Sequence, residues 1–333
     1  MKKIAINGFG RIGRLAFRII EADSTLEVVA INDLTDPAQL AHLLKYDSSH
    51  RNYYEDEITY DDEHLIVRGR KIKVFQMKDP TQLPWQAQAI DLVLECSGVF
   101  TSAEKANMHI TAGAKKVLIS APGKGNLKTV VYNVNHNILN GDEKIVSAAS
   151  CTTNCLAPTI AVLDEAFGVV RGYMTTVHAY TNDQTVLDVA HPKGANARRG
   201  RAAAANIIPS TTGAASAIGL VMPHLEGKLD GFALRVPTIT GSVIDLVLEL
   251  QQKTTAEAIN EVFAQNVNET IKITNDPIVS SDVIGSSYGA IVDAQMTSLL
   301  ETNGKQLVKI VAWYDNEYGY SAQMIRLAKY MLS

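Results

Sequence analysis

The sequence predicts an α/β protein: a doubly wound parallel sheet followed by an α+β domain with a mostly antiparallel sheet. Three observations carry this. Short apolar runs alternate with helical patterns up to residue 150, the order that a parallel sheet with crossover helices requires. A glycine-rich turn joins the first run to the first helical pattern. Beyond residue 150 the runs lengthen and several alternate with period two, as in a sheet covered on one face. The 333 residues, 46% hydrophobic and 20% charged, suffice for two cores.

Taken in order, Lys3–Ile6 reads as a strand, Ile12–Ala22 as a helix and Glu27–Ile31 as a second strand. Pro37–Leu44 is helical, with Leu40, Leu43 and Leu44 on one face. Leu92–Glu95 and Lys116–Ile119 are apolar runs bounded by turn signals, suited to buried parallel strands. Met108–Ala112 lies between them, before the break at Gly113. A helix pattern from Cys151 to Phe167 stops at Gly168, a suitable residue just past a helix end, and Pro158 should kink it. Strands follow at Tyr173–Ala179, Gly231–Val236, Ser242–Leu250, Ala290–Val292 and Leu307–Tyr314, with helices at Ala256–Asn266 and Ser321–Leu332. Domains are therefore expected at 1–150 and 151–316, with 317–333 as a C-terminal helix. The segment Thr181–Arg201 is polar, small-residue and long enough to be functional.

Composition excludes some functions. A net charge of −4 argues against general affinity for nucleic acid or anionic membranes. The basic group Lys193, Arg198, Arg199 and Arg201 is too local to reverse this. Three cysteines, at 96, 151 and 155, form no disulfide framework and fit a reducing compartment. Cys-x₃-Cys without a second Cys/His cluster is no zinc pattern, so no metal is expected. Lys2 and Lys3 precede an apolar stretch broken by Asn7, Gly8, Gly10 and Arg11, so no signal-peptide core forms. A cytoplasmic protein is expected.

Asn7-Gly8-Phe9-Gly10-Arg11-Ile12-Gly13 follows the first strand and opens the first helix. It is the Rossmann-type fingerprint: Gly8 permits the tight turn, Gly10 lets the backbone approach a pyrophosphate, and Gly13 lets the helix pack closely. The helix N-terminus supplies N–H groups and a positive dipole for phosphates. Asp33 ends the second strand about 20 residues beyond Gly13, where a carboxylate binds ribose hydroxyls. It would repel the extra phosphate of NADP, so NAD is the expected cofactor.

Ala149-Ser150-Cys151-Thr152-Thr153-Asn154-Cys155-Leu156-Ala157-Pro158 carries the chemistry. Ser150 is a good N-cap, placing Cys151 in the first helical turn near the positive helix end, a position that favours a thiolate. Cys155, one turn on, reads as a small buried hydrophobe. Both thiols could be simple packing residues. The strand ending Thr176-Val177-His178-Ala179-Tyr180-Thr181 returns from the end of that helix and can bring His178 near Cys151. A histidine at a strand end is more often a structural hydrogen-bonder. Beside a helix-terminal cysteine and a dinucleotide site it becomes a candidate base.

At these residues the chain resembles the phosphorylating glyceraldehyde-3-phosphate dehydrogenases: Ile-Asn-Gly-Phe-Gly-Arg-Ile-Gly-Arg at 6–14, Leu-Leu-Lys-Tyr-Asp at 43–47, the cysteine decapeptide at 149–158 and Trp-Tyr-Asp-Asn-Glu-Tyr-Gly-Tyr at 313–320. The resemblance implies that Cys151 attacks the aldehyde, His178 accepts its proton, hydride passes to NAD and inorganic phosphate cleaves a thioester. It assigns Thr181 and Arg235 to the substrate phosphate, and Ser150, Thr152, Thr212 and Gly213, with Arg199 nearby, to the attacking phosphate. It gives Asn316 the nicotinamide amide, and Lys78 and Ser120 the adenosine side. Without it, Pro209–Gly213 would be a turn and Arg235 a surface residue. In the family the loop after Thr181 lies against a neighbouring subunit and its cofactor, implying a homotetramer, and Ser321–Leu332 returns to the first domain.

The chain departs from the commonest pattern at Val189-Ala190, where many NAD-using members have Leu-Pro, and in the longer loop Pro192–Ala197. Three other readings stay open here. Erythrose-4-phosphate dehydrogenase shares the Cys/His chemistry, but the runs at 180–184 and 210–215 fit the triose enzyme better. Aspartate-semialdehyde dehydrogenase uses a thioester route, but Thr181 and Arg235 point to a phosphorylated substrate. A regulatory NAD-sensing protein would be expected to have lost Cys151 or His178.

Overall fold

The computed structural model describes residues 1–192, 194 and 196–333. Lys193 of the basic group therefore lies outside the described residues. The chain divides into two units, Met1–Ser150 with Met324–Ser333, and Cys151–Gln323.

The first unit runs β1 (Lys2–Asn7), α1 (Arg11–Glu21), β2 (Leu26–Asn32), α2 (Pro37–Lys45), β3 (Ile58–Tyr60), β4 (His64–Val67), β5 (Arg70–Phe75), α3 (Trp85–Gln88), β6 (Leu92–Glu95), α4 (Ala103–Thr111), β7 (Lys116–Ile119), β8 (Lys128–Thr129) and β9 (Ile145–Ser147). Its sheet has the order β3-β4-β5-β2-β1-β6-β7-β9-β8. From β5 to β8 all pairs are parallel. The strands β6 and β7 are almost wholly buried and β1 is buried from Ile4 to Asn7, as runs apolar on both faces require.

The β3–β5 meander is antiparallel and is not evident from the sequence. Its second turn is Arg68-Gly69, with φ of 51° and 77°, a mirror-image hairpin turn made without the usual Asn-Gly or Asp-Gly signal. In α2, Leu43 is exposed, not part of the buried face as expected. Pro37, Leu40, Ala41 and Leu44 form that face, because spacings of three and four keep one side of a helix. Residues from Met324 onward belong to this unit: Lys329 Nζ lies 2.7 Å from Asp23 and Lys116 Nζ donates to the Met331 carbonyl at 2.6 Å.

The second unit contains α5 (Cys151–Phe167), β10 (Val169–Ala179), β11 (Ile208–Thr211), α6 (Ile218–Val221), β12 (Leu229–Val236), β13 (Ser242–Leu250), α7 (Ala256–Gln265), β14 (Ile271–Thr274), β15 (Ala290–Asp293), β16 (Ser298–Thr302), β17 (Lys305–Tyr314) and the start of α8 (Tyr318–Leu332). Its sheet has the order β11-β12-β10-β13-β17-β15-β14, with β16 also beside β17. Two pairs, β10–β12 and β14–β15, are parallel and the others antiparallel. Ser242, Ile244, Leu246 and Leu248 of β13 are buried, alternating with partly exposed neighbours, and α5 packs on this sheet.

Two expectations need refinement. Residues 208–211 form an edge strand on β12, so only Thr212-Gly213 continues the expected turn. Pro209 is tolerated because an edge strand need not donate from every residue. The helix α5 continues through Pro158. That residue cannot donate to the Asn154 carbonyl, where Gly289 packs so closely that a Cβ would lie 2.8 Å away.

Candidate active site

Cys151 is the first residue of α5, two positions after Ala149, which takes a left-handed φ of 59°. Such a conformation is costly for a non-glycine residue and is found where the chain must turn sharply. His178 and Arg235 meet because β10 and β12 run parallel with these two residues in register.

The thiol and imidazole are in contact, with Cys151 Sγ 3.4 Å from His178 Nε2. His178 Nδ1 lies 2.7 Å from the Ala179 carbonyl. A carbonyl only accepts, so Nδ1 carries the proton and, in the neutral ring, Nε2 presents its lone pair to the thiol. Arg235 Nη1, 3.2 Å from Nδ1, therefore cannot donate there. It donates instead to the same carbonyl at 3.1 Å and to Thr181 Oγ1 at 2.9 Å. Arg235 Nε is buried without a partner among the described residues. A donor left in that state is costly and suits an added oxygen ligand.

Burial pushes His178 down to about 3, assisted by the Arg235 charge and opposed by the Ala179 hydrogen bond. Burial pushes the Cys151 thiol up, opposed by Arg235 and Thr152. Desolvation thus acts against the thiolate that the helix terminus and the hydroxyls favour. The geometry presents Nε2 of the neutral ring to the sulfur as an oriented acceptor.

Other expected residues join this group to different degrees. Thr152 Oγ1 lies 4.0 Å from the sulfur and 2.9 Å from Tyr314 Oη. Arg199 pairs with Asp183 and donates to Ser210 Oγ at 3.3 Å. Asp183 also accepts from Thr181 Oγ1. Thr212 Oγ1 accepts from Ala214 N, and the Gly213 carbonyl accepts from Ser216 Oγ and Ala217 N; among the described residues neither is hydrogen-bonded to Cys151. Ser150 immediately precedes the helix. Asn316 is buried, and its Oδ1 accepts from Gly241 N, Ser242 Oγ and Thr240 Oγ1. That leaves Nδ2 as the donor of the side chain.

Tyr314 is a further residue the sequence reading did not single out. Its buried ring meets His178 edge-on, centroids 5.9 Å apart, and its hydroxyl bridges Thr152 and Thr176 at 2.9 Å each. Its inward position on β17 was legible from strand alternation, but its partners, far apart in the chain, were not.

The first unit holds the glycine turn. A Cβ on Gly8, φ 90°, would lie 2.6 Å from the Ser97 backbone, and one on Gly13 would lie 2.2 Å from the Gly8 carbonyl. Gly10 differs: its φ is −73° and a Cβ would meet nothing within 4 Å. The fold itself does not need glycine there. α1 begins there with no side-chain cap, which leaves the backbone open to an approaching ligand. Asp33 accepts from Phe9 N at 2.7 Å and Thr35 N at 3.0 Å, which fixes the carboxylate while leaving lone pairs for hydroxyls. The Arg11 side chain is held by Asp47 at 2.5 Å, and Ile12 is partly buried. Lys78 is exposed. The Ser120 hydroxyl bonds the Cys96 thiol.

A family model described as glyceraldehyde 3-phosphate dehydrogenase, NAD binding domain, matches residues 2–103. A second, for the C-terminal domain of the same family, matches residues 150–316. The glyceraldehyde-3-phosphate dehydrogenase of Clostridium acetobutylicum is 55% identical over 330 residues, 99% of this chain and 98% of that protein. That of Clostridium pasteurianum is 54% identical with the same coverage. That of Streptococcus pyogenes is 51% identical, covering 98% of this chain and 97% of its own. With both domain models matched and full-length relatives above half identity, this chain belongs to the glyceraldehyde-3-phosphate dehydrogenase family.

Proposed function

We propose that the chain oxidises and phosphorylates glyceraldehyde 3-phosphate to 1,3-bisphosphoglycerate with NAD, through a thioester on Cys151. The observation that carries this reading is His178 Nε2 facing Sγ at 3.4 Å while Nδ1 is locked on a carbonyl. His178 accepts the thiol proton as sulfur bonds to the aldehyde carbon, giving a hemithioacetal; that proton returns to the substrate oxygen. The base then accepts the hydroxyl proton as the carbonyl re-forms, leaving a thioester. NAD, when bound, supplies the hydride acceptor. A phosphate oxygen attacks the thioester, the C–S bond breaks, and the departing sulfur takes back the proton from His178.

Arg235 and Thr181 hold the substrate phosphate in this reading, supported by the orphan Arg235 Nε. Ser150, Thr152, Thr212, Gly213 and Arg199 receive the attacking phosphate. Asn316 Nδ2 suits a carboxamide oxygen, and Gly8, Gly10, Arg11, Ile12, Gly13, Asp33, Lys78 and Ser120 take the dinucleotide. Residues 1–150 then bind NAD, 151–316 carry the chemistry and 317–333 form the returning helix. A cytoplasmic homotetramer completes the proposal. Val186, Leu187 and Val189 support it, being 83%, 72% and 57% exposed on the loop after Thr181. Light scattering of the purified protein tests that state.

NADH formation from glyceraldehyde 3-phosphate tests the reaction. Turnover that requires inorganic phosphate and vanishes in Cys151→Ser is expected. Turnover without phosphate would indicate a hydrolytic relative, and faster turnover of erythrose 4-phosphate would reassign the substrate.

A further inference from the structure

Asp183 has no role in the reaction as proposed. Its two oxygens nevertheless connect the two oxyanion pockets. One accepts from Thr181, which also accepts from Arg235, and the other is paired with Arg199. The side chain of Arg199 is 20% exposed and that of Asp183 46%, so the arginine is the more enclosed partner. Arg199 also donates to Ser210 on the edge strand, and Arg235 lies near enough for the two guanidinium charges to oppose each other. A carboxylate in this position offsets that repulsion and fixes the guanidinium. It also places a negative charge where a phosphate must arrive.

We propose that Asp183 is the resident counter-ion of Arg199: it positions the guanidinium and, by competing for it, sets how tightly inorganic phosphate binds. The inference rests on reading Arg199 as a ligand of the attacking phosphate. Phosphate is the better partner, because its dianion matches the guanidinium fork with a larger charge. It must displace or share the Arg199–Asp183 contact to bind. An ordinary half-exposed ion pair would affect only stability, and only slightly; a competing counter-ion changes an affinity.

The test is steady-state NADH formation with inorganic phosphate varied, for the native chain and for Asp183→Asn, Asp183→Glu and Arg199→Ala. Asp183→Asn removes the charge and keeps an acceptor for Thr181. It is expected to lower the KM for phosphate about 1.5- to 5-fold, the range of a partly exposed charge pair, and to lower kcat by a smaller factor. Asp183→Glu keeps the charge and should hold the phosphate KM near the native value. Asp183→Ser gives the same reading as Asn if that variant does not fold. Arg199→Ala should raise the phosphate KM. An unchanged or raised KM in the neutral variants, with Arg199→Ala still raising it, overturns the counter-ion role alone. No effect of Arg199→Ala overturns both that role and the placement of Arg199.

Discussion

His109 and His178 are both fully buried, yet their surroundings prepare them for opposite behaviour. In the first unit, His109 Nδ1 accepts from Trp85 Nε1 at 3.1 Å, so Nε2 carries the proton and donates to Glu95 at 3.0 Å. Glu95 also accepts from Asn7 Nδ2 and from the backbone and hydroxyl of Ser97. Every site on that ring is used within the fold. In the second unit only Nδ1 is spent, and the lone pair of Nε2 is directed at a thiol. Burial alone does not make a histidine reactive; an unspent, oriented nitrogen does.

Removing the oriented nitrogen should have the largest effect. His178→Asn is expected to lower kcat by about 10²- to 10⁴-fold. It should also slow alkylation of Cys151 near neutral pH, because the thiol loses its acceptor. Unchanged alkylation would mean the sulfur ionises without His178. Arg235→Gln should raise the KM for the aldehyde about 10- to 100-fold by removing a charged phosphate ligand. If only kcat fell, Arg235 would act on the His178 pair and not on the substrate.

His109→Leu sharpens the contrast from the other side. It leaves Trp85 Nε1 without its acceptor and Glu95 short of a donor, at a cost of about 2–4 kcal/mol in urea unfolding. The kcat of the folded fraction should stay within about threefold, since ground-state burial is all that changes. A loss of activity comparable to His178→Asn would erase the distinction between the two rings.

The pH dependence of stability gives a subtler measure. The folded-state value for His178, about 3, lies below the ordinary 6.5, so the unfolded chain binds the extra proton between these values. Its contribution is present above about pH 6.5 and is lost as pH falls toward 3. The urea midpoint of the native chain should therefore drop more steeply over that window than that of His178→Asn.

The smallest stability effect is expected at Gly10. Gly10→Ala should change unfolding by no more than about 0.5 kcal/mol, because φ is −73° and the added carbon meets nothing within 4 Å. It should still weaken NAD binding in calorimetry. Gly13→Ala, whose Cβ would sit 2.2 Å from the Gly8 carbonyl, should destabilise by about 1–3 kcal/mol or more. Equal stability losses at both positions would mean Gly10 serves the fold and not a ligand.

By itself the sequence determined what depends on neighbours in the chain. The strand-turn-helix around Gly8–Gly13, the acid at Asp33, the helix from Cys151 to its stop at Gly168 and the alternation of Ser242–Leu250 follow from local sterics and periodicity. The Cys151 and His178 candidates were legible because one opens a helix behind an N-cap serine and the other sits at the end of a strand. Tertiary structure decided what depends on distant partners. Which imidazole nitrogen carries the proton is set by the Ala179 carbonyl, and the upward push on the Cys151 thiol by burial. Parallel pairing of β10 with β12 set Arg235 beside His178, and β17 brought Tyr314 to both Thr152 and the imidazole. Asp183 joined Thr181 to Arg199 through a loop with no repeating pattern. Periodicity encodes which face is buried; hydrogen-bond donors and charges act over a few ångströms, and only the folded chain brings residues 151, 178, 183, 199, 235 and 314 within that range.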